Sequence, residues 1–168
     1  MLNQTVQDAI NRQINMEFQS SYKYLGMASF CALNNFPGCA AWLLLQSQEE
    51  NHHAMRLRQF MLDRDCAVDL QPIAQASVDF DSIPHVFEQS LEQEKAVSAS
   101  INDLYELAHE NKSFAALVEL QWFITEQVEE EKTVRDIVAK MNMVKDDPSA
   151  LIDLDRELGE RKPEDDGE

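Results

Sequence analysis

The sequence predicts an all-α protein: a four-helix bundle with one long crossover loop and a short fifth C-terminal helix. Three observations carry that expectation. Four long segments keep apolar residues at 3,4 spacing, the mark of a helix that buries one face. Glycine (4) and proline (5) are both scarce, so little interrupts those segments. That linker, about Ala67 to Phe80, is too long for a helix hairpin and too apolar for a flexible connection. No stretch alternates apolar and β-branched residues for long, so a sheet has no support.

Each element follows from its punctuation. Asn3 or Thr5 caps the first helix, which stops near Asn34, Asn35, Pro37 and Gly38. The second runs to about Cys66. Asp81 or Ser82 before Pro84 opens the third, and Ser113, after Asn111 and Lys112, marks a tight turn into the fourth. Asp147 and Pro148 open the fifth helix, ending by Gly159. The linker's residues, extended at about 3.3 Å each, reach about 46 Å. A helix like the second is about 42 Å long at 1.5 Å per residue. The linker can therefore traverse the whole bundle and join two antiparallel helix pairs. Residues 1–160 are expected to be one domain, and 161–168 an acidic, disordered tail.

Composition narrows the function. A formal charge of -17 repels phosphate backbones, so nucleic acid is not expected as a partner and cations are. The longest apolar run, Cys39 to Leu45, is far short of the roughly 20 residues that span a bilayer. No membrane partner is expected. Met1 to Thr5 lacks a basic segment followed by an apolar one, and the expected location is cytoplasmic. Cys31, Cys39 and Cys66 are odd in number and form no CxxC, which fits reduced packing residues.

One stripe per helix carries the chemistry. The first is Ile10, Ile14, Glu17, Ser21, Tyr24, Ala28, Cys31, and the second Cys39, Leu43, Gln46, Glu50, His53, Leu57, Phe60. The third is Phe87, Leu91, Glu94, Ser98, Ile101, Tyr105, and the fourth Ala116, Leu120, Phe123, Gln127, Glu130, Val134, Ile137, Met141. Every stripe breaks to polar at its middle. The breaks also repeat: Glu17 plus 33 is Glu50 and plus 36 is His53, while Glu94 plus 33 is Gln127 and plus 36 is Glu130. The two halves are pseudo-equivalent helix pairs.

Carboxylates on a core-facing stripe are costly without a partner. Glu50 with His53, and Gln127 with Glu130, stand at i and i+3, on one helix face. No lysine or arginine lies on the stripes to neutralise the four acids. A divalent metal is the natural counter-charge, and oxygen-rich ligation with one imidazole suits iron or manganese better than structural zinc. Each acid alone fits an ordinary solvated helix face; the constellation of six does not.

The segments NMEFQSSYKYL, QEENHHAMRL, LEQEKAV and LQWFITEQVEEEK resemble the prokaryotic non-haem ferritins, of the ferritin-like di-iron superfamily, over nearly the full length. The resemblance implies that Glu17, Glu50 and His53 hold one iron, and Glu94, Glu130 and bridging Glu50 the other, with Gln127 orienting ligands or oxygen nearby. It implies that Tyr24 hydrogen-bonds near the pair and supplies an electron. Glu49, Glu126 and Glu129, with Glu130 shared, resemble a third iron site. The implied activity is ferroxidase: Fe(II) and dioxygen react at the intrasubunit pair, and ferric mineral is stored inside a hollow 24-subunit shell. Haem is not expected, because Asn51 stands where the haem-binding relatives have methionine. Trp122 and the histidines His52, His85 and His109 are read as packing and surface residues.

Two other classes remain open from the residues alone. One is a helical interaction bundle without metal, distinguished by metal content after purification with ferrous salt. The other is a different di-metal enzyme. Oxygenases of that type carry two Glu-x-x-His motifs, of which only Glu50 to His53 is present, and rubrerythrins add a cysteine-rich iron domain that is missing here. The DNA-coating mini-ferritins lack a fifth helix like the one expected from Asp147 to Gly159.

Overall fold

The structure is a computed structural model that describes residues 2–163; residues 164–168, most of the expected acidic tail, lie outside the described residues. The element order is α1 (Gln4–Leu33), α2 (Pro37–Asp63), α3 (Ile83–Glu110), α4 (Phe114–Val144) and α5 (Pro148–Leu158). No strand occurs among the described residues. None of the helices is long and apolar enough to cross a membrane.

Local chemistry sets the boundaries. Of the two caps expected for α1, Asn3 is used: its Oδ1 accepts from the Val6 amide at 2.9 Å. Ser82 does the same for α3, accepting from the His85 amide at 3.2 Å, and the Asp147 carboxylate caps α5. The first three helices close in the same way. Asn35, Asp65 and Lys112 take positive φ (64°, 55° and 51°), and the next amide in each case returns to the carbonyl five residues back. Those bonds are Phe36 to Cys31, Cys66 to Met61, and Ser113 to Ala108. This is the Schellman closure, built here without glycine. It ends α2 at Asp63, slightly before the Cys66 expected from the sequence.

The chain therefore makes two antiparallel hairpins, α1 with α2 and α3 with α4. The crossover brings α3 back beside α1, where Asn3 Nδ2 donates to Asn111 Oδ1 at 2.6 Å. That bond places the start of α1 against the end of α3. Three amide side chains on α1 pin the crossover along its outside. Asn11 bonds Ala67 O and the Asp69 amide, Asn15 bonds Asp69 O and the Gln71 amide, and Gln19 bonds Ala74 O and the Ala74 amide. Spaced four apart, they lie in one row on the helix and satisfy backbone groups of a segment with no ladder of its own. Gly26 extends that face: a Cβ there would lie 2.3 Å from Ser77 O, so only glycine lets the loop pass this close.

Two apolar clusters fill the bundle. One gathers Val6, Ile10, Ile14, Leu57, Met61, Ile101, Leu120 and Phe123 at the end where α1 begins. The other gathers Tyr24, Cys31, Trp42, Leu43, Phe87, Val134, Met141 and Leu154 at the opposite end. All three cysteines are free and buried. Burial pushes the Cys31 thiol up to about 12, so the packing role expected for it stands. The helix α5 lies across α2 and α4, and its Asp155 Oδ1 accepts from the Cys39 amide at 2.7 Å, near the start of α2.

Gly38 is the contact that permits this docking, because a Cβ there would sit 1.7 Å from the Asp155 carbonyl oxygen. Gly38→Ala must therefore displace α5. We expect a net loss of about 1–3 kcal/mol in chemical denaturation, together with faster tryptic cleavage after Lys145 and Arg156.

Candidate metal centre

The polar breaks of the four stripes meet in one layer between the two apolar clusters. On α4 the eight stripe residues from Ala116 to Met141 are the helix's whole buried set. Glu17, Glu50 and Glu94 are fully buried, and His53, Gln127 and Glu130 nearly so. One ligand atom each from Glu17, Glu50 and His53 lies within 4.8 Å of the others. His53, Glu126 and Glu130 form a second such group. His53 Nδ1 stands 3.5 Å from Glu50 Oε2.

Glu50 is central. It is within hydrogen-bonding reach of Glu17 on one side and Glu94 on the other, yet ionised carboxylates only accept. Glu17 Oε2 and both Glu50 oxygens are buried with no donor. Such orphaned oxygens need either protons or cations. Without metal, protons answer the need: desolvation raises the Glu17 carboxyl from 4.5 to about 7. Glu50 goes well above the ordinary range through burial and then the charges of Glu94 and Glu17. Burial also raises Glu94, which hydrogen bonds from Tyr24 and Gln127 partly offset. Glu130 is raised by burial and by Glu94 and Glu49, and lowered by Arg161. The donor set, oxygen-rich with a single imidazole and no lysine, fits a pair of hard or borderline divalent ions.

A ring of uncharged donors orients the acids. Tyr24 donates its hydroxyl to Glu94 Oε1 and lies 2.8 Å from Ser90 Oγ. Burial, followed by the charge of Glu94, raises the Tyr24 phenol well above its usual value, so it stays protonated. Gln127 Nε2 reaches Glu94 Oε2 and the Glu94 carbonyl, each at 3.2 Å. The imidazole of His53 is flanked edge-on by Trp122 at 5.3 Å and Phe123 at 5.9 Å between ring centres. Arg56 stacks 4.2 Å from the Trp122 ring and pairs with Glu119, which backs the packing role expected of that tryptophan.

Sequence reasoning gave no role to two members of this ring, Gln13 and the stripe residue Gln46, and missed one neighbour. Gln13 Nε2 donates to Glu17 Oε1 at 2.7 Å, and Gln46 Nε2 donates to Glu130 Oε2 at 2.5 Å. The signal was present, for 13 plus 33 is 46, the offset that pairs Glu17 with Glu50. The neighbour is Arg161. The composition of the tail predicts disorder for it, but it is half-buried and bonded to Gln46 and Glu49, because the end of α5 delivers it to an acidic rim. The three outer acids are not equivalent. Glu126 lies near His53 and Glu130, Glu49 is engaged by Arg161, and Glu129 is exposed and joins neither ligand group among the described residues.

Raised carboxyls mean that the metal-free folded state holds more protons than the unfolded chain between pH 4.5 and about 7. Its stability must then fall as pH rises through that window. In thermal melts of metal-free protein at several pH values, Glu50→Gln should flatten this fall. At pH 7 it should also raise stability, by about 1–3 kcal/mol. A steeper fall in the variant would overturn this account of the layer.

The comparisons agree with the geometry. The Ferritin family model, described as a ferritin-like domain, matches residues 7–144. A bacterial non-heme ferritin of Staphylococcus aureus is 32% identical over 161 residues, covering 96% of this chain and 97% of that one. Its counterpart from Staphylococcus saprophyticus is 34% identical, with 96% of each chain covered. Among solved structures, an open pore ferritin from the hyperthermophilic archaeon Archaeoglobus fulgidus superposes with a TM-score of 0.95. It is 38% identical, and the match covers 96% of this chain and 100% of that one. With fold, buried acid layer and relatives in agreement, the chain belongs to the ferritin family.

Proposed function

We propose that this protein is an iron-storage ferritin with ferroxidase activity, working in the cytoplasm as a 24-subunit hollow shell that takes up Fe(II) and dioxygen and stores ferric mineral. The observation that carries the proposal is Glu50, buried between Glu17 and Glu94 with both oxygens lacking a donor. A group so placed belongs to two ions at once. Glu17, Glu50 and His53 hold one Fe(II), and Glu94, Glu130 and the shared Glu50 hold the other. Family membership supports iron as the substrate metal, and cage-building relatives support the assembly.

Held a few ångströms apart, two Fe(II) give one electron each to a single dioxygen, which leaves as hydrogen peroxide after taking two protons. The side chains have distinct duties. As ions enter, the carboxyls release the protons that burial holds on them. Gln13, Gln46, Gln127 and Tyr24 fix the acids by donating to them, so the ligand set is oriented before loading. Tyr24, protonated and hydrogen-bonded to Glu94, holds that carboxylate in its ligating orientation. The two halves differ, with an imidazole on one side and an amide beside an acid on the other. Unequal ligation lets the oxidised pair leave for the mineral. The proposed third iron position draws on Glu49, Glu126, Glu129 and Glu130, its weakest member being the exposed Glu129.

Glu50→Ala should slow the fast phase of aerobic Fe(II) oxidation by about a hundredfold or more. Glu129→Ala should leave that phase intact and change only later turnover. Stopped-flow absorbance after mixing two Fe(II) per subunit with oxygenated buffer separates the two, and a wild-type fast phase in Glu50→Ala would sink the catalytic assignment. Light scattering with electron microscopy should find a large hollow particle; a monomer or dimer would remove the storage claim while leaving the metal pair.

A further inference from the structure

Beyond the end of α5 the chain turns back to the edge of the acid layer. Arg161 Nη1 donates to Gln46 Oε1 at 2.6 Å, and Nη2 contacts both oxygens of Glu49 at 2.6 and 2.7 Å. Its guanidinium lies 4.6 Å from the centre of the Trp42 ring. The paired side chains are only 18% and 15% exposed, so this is a shielded ion pair and not a solvated surface contact. Gln46 continues the chain of contacts by donating to Glu130 Oε2. A planar cation with several donors that also stacks on an aromatic face is suited to hold such a position; lysine would supply only a point charge.

We propose that Arg161 is a specificity-determining latch: it is the resident counter-ion of Glu49 at the rim of the acid layer, beside Glu130, and a third cation that uses Glu49 binds there only by displacing it. The proposal rests on the di-iron reading of the inner layer and concerns how many ions the subunit holds. Glu49 gives its two oxygens to the guanidinium, so a third ion must break two charge-assisted hydrogen bonds before Glu49 can ligate. The inner pair has no cation to displace: Glu17 Oε2 and both Glu50 oxygens have no donor, and the donors on Glu94 and Glu130 are neutral side chains. The latch is carried by the segment that follows α5, which Asp155 ties to the Cys39 amide. Seating of α5 and occupancy of the third position are thus mechanically linked.

The test is anaerobic titration of the assembled, metal-free protein with Co(II), followed by calorimetry and by d–d absorption, so that binding is read without turnover. In Arg161→Gln the third Co(II) should bind about tenfold more tightly than in wild type, a change of about 1.4 kcal/mol, with the first two ions unchanged. Arg161→Lys, which keeps the charge and loses the two-pronged grip, should show part of that gain. Lys162→Gln removes a neighbouring exposed charge and should behave as wild type. Adding Glu49→Gln to Arg161→Gln should abolish the gain. Equal third-ion affinity in wild type and both Arg161 variants overturns the latch, as does an equal gain in Lys162→Gln. If wild type fails to bind two Co(II), the paired inner site itself is wrong and the latch falls with it.

Discussion

The structure is organised around the burial of four carboxyl groups, with no lysine or arginine beside them, in the middle of a helical bundle. Glu17, Glu50, Glu94 and Glu130 occupy positions that an ordinary bundle gives to leucine. Their cost divides the interior into two apolar clusters, which must hold the helices together on either side of a layer whose acids cost stability without metal. Length is the compensation. Helices of 27 to 31 residues leave several buried turns above and below the layer, so the bundle tolerates a destabilising belt that a short one would not.

The same constraint explains why so much was legible in the sequence. An acid on an apolar stripe is conspicuous, and six polar residues at matched offsets, four of them acids, are more so, because the helix period fixes which residues share a face. The fourth helix shows the limit of what periodicity delivers, its eight predicted residues being its entire buried face. Helix ends were legible for a similar reason: caps and turns are local chemistry. Where two caps were open, as at Asn3 and Thr5, the difference depended on the geometry of a single hydrogen bond.

What escaped the sequence is long-range and aperiodic. Asn11, Asn15 and Gln19 look like the polar face of an ordinary surface helix until the crossover lies against them. Gly26 and Gly38 look like weak points in helices, and only the backbone that approaches each shows why a Cβ is forbidden. Arg161 sits in a charged tail, where composition predicts disorder. Its partners Gln46 and Glu49 are more than a hundred residues earlier, and no local pattern encodes that pairing. Glu129 shows another limit: a run of three acids looks like one cluster, but successive helix residues are rotated by about 100°, so Glu130 turns inward and Glu129 outward.

The energetic logic of the layer joins stability to function. Holding the Glu17 proton up to about 7 means that ionising it in the folded protein costs about 3 kcal/mol more than in the unfolded chain. An entering divalent ion supplies the missing counter-charge but must displace that proton, so its net binding weakens as pH falls. A ring of neutral donors, Gln13, Gln46, Gln127 and Tyr24, lets the acids be fixed in place without being neutralised. An arginine among them would stabilise the empty protein and compete with the ion. The one arginine that does approach stands outside the inner pair, at Glu49, where competition limits how many ions are held and leaves the pair that reacts with oxygen unopposed.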